Sequence, residues 1–280
     1  MSIILNELTW TKNAIEHYDL GQNPAETLGR VAKYYKYLGC KKSEIRKHVE
    51  EFLLRCDPYA SVVLWADTIE SSVKYGMKHP LIMIDKITIT DPEMLQIKSI
   101  KGVQAQRLAF TLLCIAKYML AVAPKTDGWV NTPESDIMKM ANINTSYKRQ
   151  NLLYGQLIDA GMLQSSKRIT NLNVRVLYIK DGDTALEITD YRNLGNQYMR
   201  FIGKPFFTCQ NCGLTVKAPD GASLGKMKYC PDCAEKVYIR QTVNSVMRKR
   251  ILSKAKEYAD GACSEKKPNI TGQTAAYAKV

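Results

Sequence analysis

The residues with the clearest capacity for chemistry are cysteines. Cys209-Gln210-Asn211-Cys212 and Cys230-Pro231-Asp232-Cys233 are two C-x2-C pairs with 17 residues between them, a spacing that reads as a zinc site. Each pair suits a tight turn that aims two thiolates at one point, and four thiolates supply the closed tetrahedral shell of structural zinc. Gly213 follows the first pair where a turn calls for positive φ, and Pro231 stiffens the second. A shell filled by Cys209, Cys212, Cys230 and Cys233 has no open position to activate water, so the expected role of the metal is to hold the fold. The competing reading is a pair of redox dithiols. Such motifs usually stand singly beside a βαβ pattern, and none is evident here. Cys40, Cys56, Cys114 and Cys263 have no comparable spacing, and the first three fall on helical patterns as small core residues.

Directly behind the second pair, residues 234–256 have the character of a helix bearing Lys236, Arg240, Arg248, Lys249, Arg250, Lys254 and Lys256. Its acid, Glu235, lies in the first turn, where the helix dipole favours a negative charge. One cysteine pair at a helix start and the other on a hairpin suggests a treble clef or a zinc ribbon, and spacing does not choose between them. The helix can lie along a phosphate backbone through Arg240, Arg248, Lys249 and Arg250, or it can simply be a solvated face.

A second polar constellation depends on the elements around it. Residues 103–122 are long, apolar and helical in period, residues 129–131 resemble a short strand, and Thr132-Pro133-Glu134 resembles a capped helix start. A turn at Asn142-Ile143-Asn144 leads to a helix capped by Asn144 or Thr145, and two strands follow at residues 162–166 and 174–179. That order is expected of a winged helix-turn-helix over residues 103–180. Its reading helix exposes Tyr147, Lys148, Arg149, Gln150 and Asn151, all able to contact phosphates or base edges, with Lys167 and Arg168 near the wing. Winged helices also serve as protein-binding modules, so the fold alone does not assign the partner.

The preceding chain resembles an N-terminal helical domain over residues 1–80. It has helices near 24–38, 43–55 and 59–77 and little pattern before residue 23. Residues 81–90 alternate Ile82, Ile84, Ile87 and Ile89 with polar neighbours, as a strand does, and residues 81–102 add a connecting helix from Asp91-Pro92-Glu93. Residues 181–208 are expected to be a linker, 209–258 the zinc module and 259–280 a flexible tail. The fold class is therefore mainly α with small β elements, an α+β protein.

Forty Lys and Arg against 27 acidic residues leave a formal charge of +13, which favours polyanionic partners. No signal peptide is evident at the N-terminus, and the most apolar stretch, residues 108–123, contains Lys117. A cytoplasmic location without a membrane partner is the expectation, and self-association is left open. His17, His48 and His79 are far apart, and there is no P-loop, G-x-G-x-x-G, H-E-x-x-H or G-x-S-x-G, so no enzymatic activity is expected.

Lys33-Tyr34-Tyr35 with Tyr37-Leu38-Gly39, the run from Asp85 to Thr90, the segment from Phe110 to Tyr118, Gly128-Trp129-Val130-Asn131 and the double C-x2-C together carry a likeness. On them the chain resembles uncharacterised proteins of bacteriophages and mobile elements of Gram-positive bacteria, over most of residues 24–240. The resemblance implies a viral or mobile-element context. Within it the expected function is a DNA-binding accessory or regulatory protein acting on duplex DNA. The alternative is a counter-defence protein that inhibits a host defence complex by binding it.

Overall fold

The computed structural model describes residues 3–166 and 173–264. Internal contacts divide the chain into two units, residues up to Cys209 together with Gly213–Lys228, and Gln210–Cys212 together with residues from 229 on. Helices and short antiparallel strands make it an α+β protein.

The first unit opens with α1 (Glu7–His17), in a region where no element is expected from sequence. Asn6 caps it by accepting from the Thr9 amide at 2.9 Å. The surrounding chain holds it in place. Glu7 accepts from Lys33 Nζ at 2.9 Å and from the Ile82 amide at 2.9 Å, so one buried carboxylate ties α1 to α2 (Pro24–Tyr37) and to residue 82. Asn23 caps α2 and Pro24 takes its first turn, as the sequence suggests. Helices α3 (Lys42–Cys56) and α4 (Ala66–Lys78) then close a core around Leu28, Val31, Ile45, Val49, Leu53, Ile69 and Val73. The last of these helices starts at Ala66, not near residue 59. Asp57 accepts from the Tyr59 amide in a local turn, and the chain stays irregular up to residue 65.

A second core surrounds α6 (Val103–Val122), in which every residue from 108 to 116 is buried. By length and composition this helix could cross a membrane, but it lies inside the unit. It packs against α5 (Asp91–Lys98), α7 (Glu134–Met140), α8 (Tyr147–Asp159) and α9 (Leu194–Phe201). Lys117 is held by the fully buried Glu93 at 2.7 Å, and Glu93 also accepts from the Thr90 and Lys180 amides.

Strand β1 (Ile87–Thr90) is shorter than the alternation from residue 81 suggests. The earlier half of that stretch meets the N-terminus instead, where the Ile84 amide donates to Leu5 O at 3.0 Å. A three-stranded sheet of order β2-β4-β3 follows, built from β2 (Trp129–Val130), β3 (Leu163–Ser165) and β4 (Val174–Val176). Trp129 lies opposite Arg175, and Leu163 opposite Val176. The helix boundaries differ slightly from the caps read in the sequence. Pro133 precedes α7 where Thr132 was expected as cap, and Ser146 precedes α8 in place of Asn144 or Thr145.

Residues 181–208, expected as a linker, carry structure. Strand β5 (Thr184–Ile188) pairs antiparallel with β1, placing Ile188 opposite Ile87, and α9 packs on α6. Ile188, Tyr191, Leu194 and Tyr198 are buried, and the Tyr198 hydroxyl donates to Gln106 on α6 at 3.0 Å. These short segments gain their order from tertiary partners that local periodicity does not reveal. A hairpin of β6 (Phe206–Thr208) and β7 (Thr215–Lys217) follows, fixed to α9 by Asn196 Nδ2 donating to Thr215 O at 3.0 Å.

The second unit is chiefly α10 (Pro231–Ser264), 34 residues long and extending past both ends of the helix expected at 234–256. It takes in residues 259–264, read as the start of a flexible tail, while the tail from 265 on lies outside the described residues. Among the described side chains of this unit, only Cys230 and Cys233 are buried.

Candidate metal centre

The first cysteine pair lies in the connection between β6 and β7. The Cys209 amide donates to Leu214 O and the Gly213 amide to Cys209 O, each at 2.9 Å, which closes the loop around residues 210–212. Gly213 sits at φ +73, the left-handed backbone that closing this loop requires and that a Cβ would strain. The second pair opens α10. Cys230 precedes the helix, its carbonyl accepting from the Ala234 amide at 2.8 Å, and Pro231 takes the first helical position. Cys233 follows in the first turn of α10.

The sulfurs of Cys209, Cys212, Cys230 and Cys233 all lie within 4.8 Å of one another, close enough to hold one metal ion. Two of them, Cys212 Sγ and Cys230 Sγ, are 3.8 Å apart. With metal–sulfur bonds near 2.3 Å, the edge of a tetrahedral four-thiolate shell is about 3.8 Å, so the donor set fits such an ion. Asn211 Nδ2 donates to Cys233 Sγ at 3.3 Å, adding an N–H···S bond that orients the sulfur. Sequence reading missed Asn211 as a supporting residue. Its position inside the C-x2-C turn was the available signal.

Cys40, Cys56 and Cys114 are apart from this cluster. Burial pushes the Cys56 thiol up to about 11 and raises Cys114 further still, which keeps both as inert thiols.

The structure brings Tyr147, Lys148, Arg149 and Asn151 together as exposed side chains on the first two turns of α8. Gln150 is half-buried and donates to Thr145 O at 3.0 Å, so its amide is engaged locally. Arg175, on the central strand of the adjoining sheet, is held by Asp127. Arg240, Arg248, Lys249 and Arg250 are exposed along α10, in the other unit. Lys167 and Arg168 lie outside the described residues.

No protein-family model, curated protein or solved structure matches the chain.

Proposed function

We propose that the chain is a non-catalytic DNA-binding accessory or regulatory protein of a phage or mobile element, with structural zinc at its four cysteines. The observation that carries this reading is the order α6, β2, α7, α8, β3, β4 with sheet order β2-β4-β3, and with exposed cations at the start of α8. That order supports the winged helix-turn-helix reading. In it the second helix of the turn enters the major groove by its N-terminal residues, which here are Tyr147, Lys148, Arg149 and Asn151. The C-terminal cations Arg240, Arg248, Lys249 and Arg250 serve the phosphate backbone without reading sequence. A knuckle between two strands, with the second pair opening a helix, favours a treble clef over a ribbon. Four thiolates leave zinc no open coordination position, so its task is to stabilise the fold around the cysteines.

The test is the salt dependence of affinity for duplex DNA. Removing one cation that neutralises a phosphate reduces the steepness of log K against log salt by about 0.9. The double variant K148A/R149A is expected to flatten the dependence by about 2 and the triple variant R248A/K249A/R250A by about 3. Negligible affinity at low salt, or slopes that neither variant changes, refutes the reading.

A second reading, binding to a host defence complex, is favoured by the loop between α3 and α4. There Tyr59 is 97%, Val63 83% and Leu64 86% exposed, an apolar tip that phosphates would not use. If this loop docks on a host protein, V63D/L64D abolishes co-purification of that protein while leaving the salt-dependent DNA binding intact. Unchanged co-purification removes the loop from this role.

A further inference from the structure

The first unit contains a cavity of about 500 Å³ between α7, α8 and the strands β3 and β4, within the size range of small-molecule sites. Its walls are apolar at Pro133, Ile137, Ile158 and Val174, and Tyr154 contributes a ring and a hydroxyl. One charged group stands among the described residues that line it, the carboxylate of Glu134, and its Oε1 is buried without a hydrogen-bond partner. In a chain of net charge +13, the described lining of this cavity carries a negative charge and no positive one.

An isolated carboxylate taken from water loses solvation that only a partner restores. Burial accordingly holds the Glu134 carboxyl above the ordinary carboxylate range. Burial, and then the neighbouring Glu134, raise the Tyr154 phenol well above its usual value, so its hydroxyl keeps its proton. Another cavity of the unit, about 640 Å³, is different: its Glu7 already receives Lys33 Nζ and the Ile82 amide, each at 2.9 Å. A metal ion is a poor occupant for the smaller cavity. Among the described residues, the grouping of His, Cys, Asp or Glu suited to a metal is the cysteine cluster. A planar N–H fork matches a single carboxylate in two parallel hydrogen bonds, and an attached apolar body would cover the aliphatic walls.

We propose that this cavity binds a small organic cation, an amidinium or guanidinium on a flat apolar body, with Glu134 as its counter-ion and Tyr154 against its ring. The site stands on its own residues and does not depend on the DNA reading.

The experiment is an NMR titration of the full chain with benzamidine, beside benzamide and benzoate as neutral and anionic counterparts. Benzamidine is expected to shift the Ile137, Ile158 and Val174 methyl resonances saturably. Benzamide should bind about tenfold more weakly, and benzoate should leave the resonances unmoved. E134Q, confirmed as folded by its unfolding temperature, is expected to lose about tenfold in benzamidine affinity. If E134Q does not fold, the ratio between benzamidine and benzamide still decides. No saturable shift with benzamidine, equal binding of the two, or full affinity in folded E134Q overturns the inference.

Discussion

At the scale of single residues, the buried carboxylates of Glu7 and Glu93 are paired with Lys33 and Lys117 across elements that are distant in sequence. Glu93 is fully buried and receives Lys117 Nζ at 2.7 Å, the Thr90 amide at 2.8 Å and the Lys180 amide at 3.0 Å, while Lys117 also donates to Thr88 O. One carboxylate thus joins α5, α6, the end of β1 and the chain leading to β5. Removing one partner leaves the other charge uncompensated in a low-dielectric interior, which costs more than the pair contributes when intact. K117M is therefore expected to destabilise the first unit by about 3–5 kcal/mol. E93Q/K117M should recover part of that loss, because no lone charge then remains. Denaturant unfolding of the three variants measures this, and a double variant no more stable than K117M would contradict it. From the sequence, Lys117 could be seen to interrupt an apolar run, but Glu93 could not be named as its partner, since the two lie 24 positions apart.

At the scale of elements, what was legible followed the strength of local pattern. Helices α2, α3 and α6 and the strands β2, β3 and β4 lie close to where periodicity, Asn23-Pro24 and the turn residues put them. The four cysteines that gather in space were likewise marked by spacing alone. Helices α1 and α9 and strand β5 escaped notice because their order comes from partners. α1 depends on Glu7 and residue 82, β5 on β1, and α9 on the flank of α6. Gly195 shows how closely α9 docks. A Cβ there would lie 1.9 Å from Ala141 O, a carbonyl already receiving Arg107 Nε at 3.0 Å. Ala is the better helix former by about 1 kcal/mol, yet the clash is with backbone and cannot be relieved by a side-chain rotation. G195A is thus expected to lower stability by about 1–3 kcal/mol in spite of its propensity. An unfolding midpoint equal to or above that of the parent would show that α9 can retreat from the end of α7.

At the scale of the whole molecule, the two units differ in what can stabilise them. The first has two apolar cores, whereas the described side chains of the second bury nothing apolar beyond Cys230 and Cys233. A helix like α10, whose described side chains are exposed except at Cys233 and Val237, gains little from packing along that stretch. If zinc occupies the four thiolates, its binding free energy becomes folding free energy for this unit. Chelation is then expected to remove helical signal from the 34 residues of α10, while the cooperative transition of the first unit keeps its midpoint. C212S should mimic the chelator and bind less than one zinc per chain and, under the DNA-binding proposal, lose DNA affinity through the C-terminal cations while the contribution of Lys148 and Arg149 survives. Circular dichroism, metal analysis and the salt slope follow these three consequences separately. Full helicity after complete removal of metal would mean that α10 is held by something other than its four sulfurs.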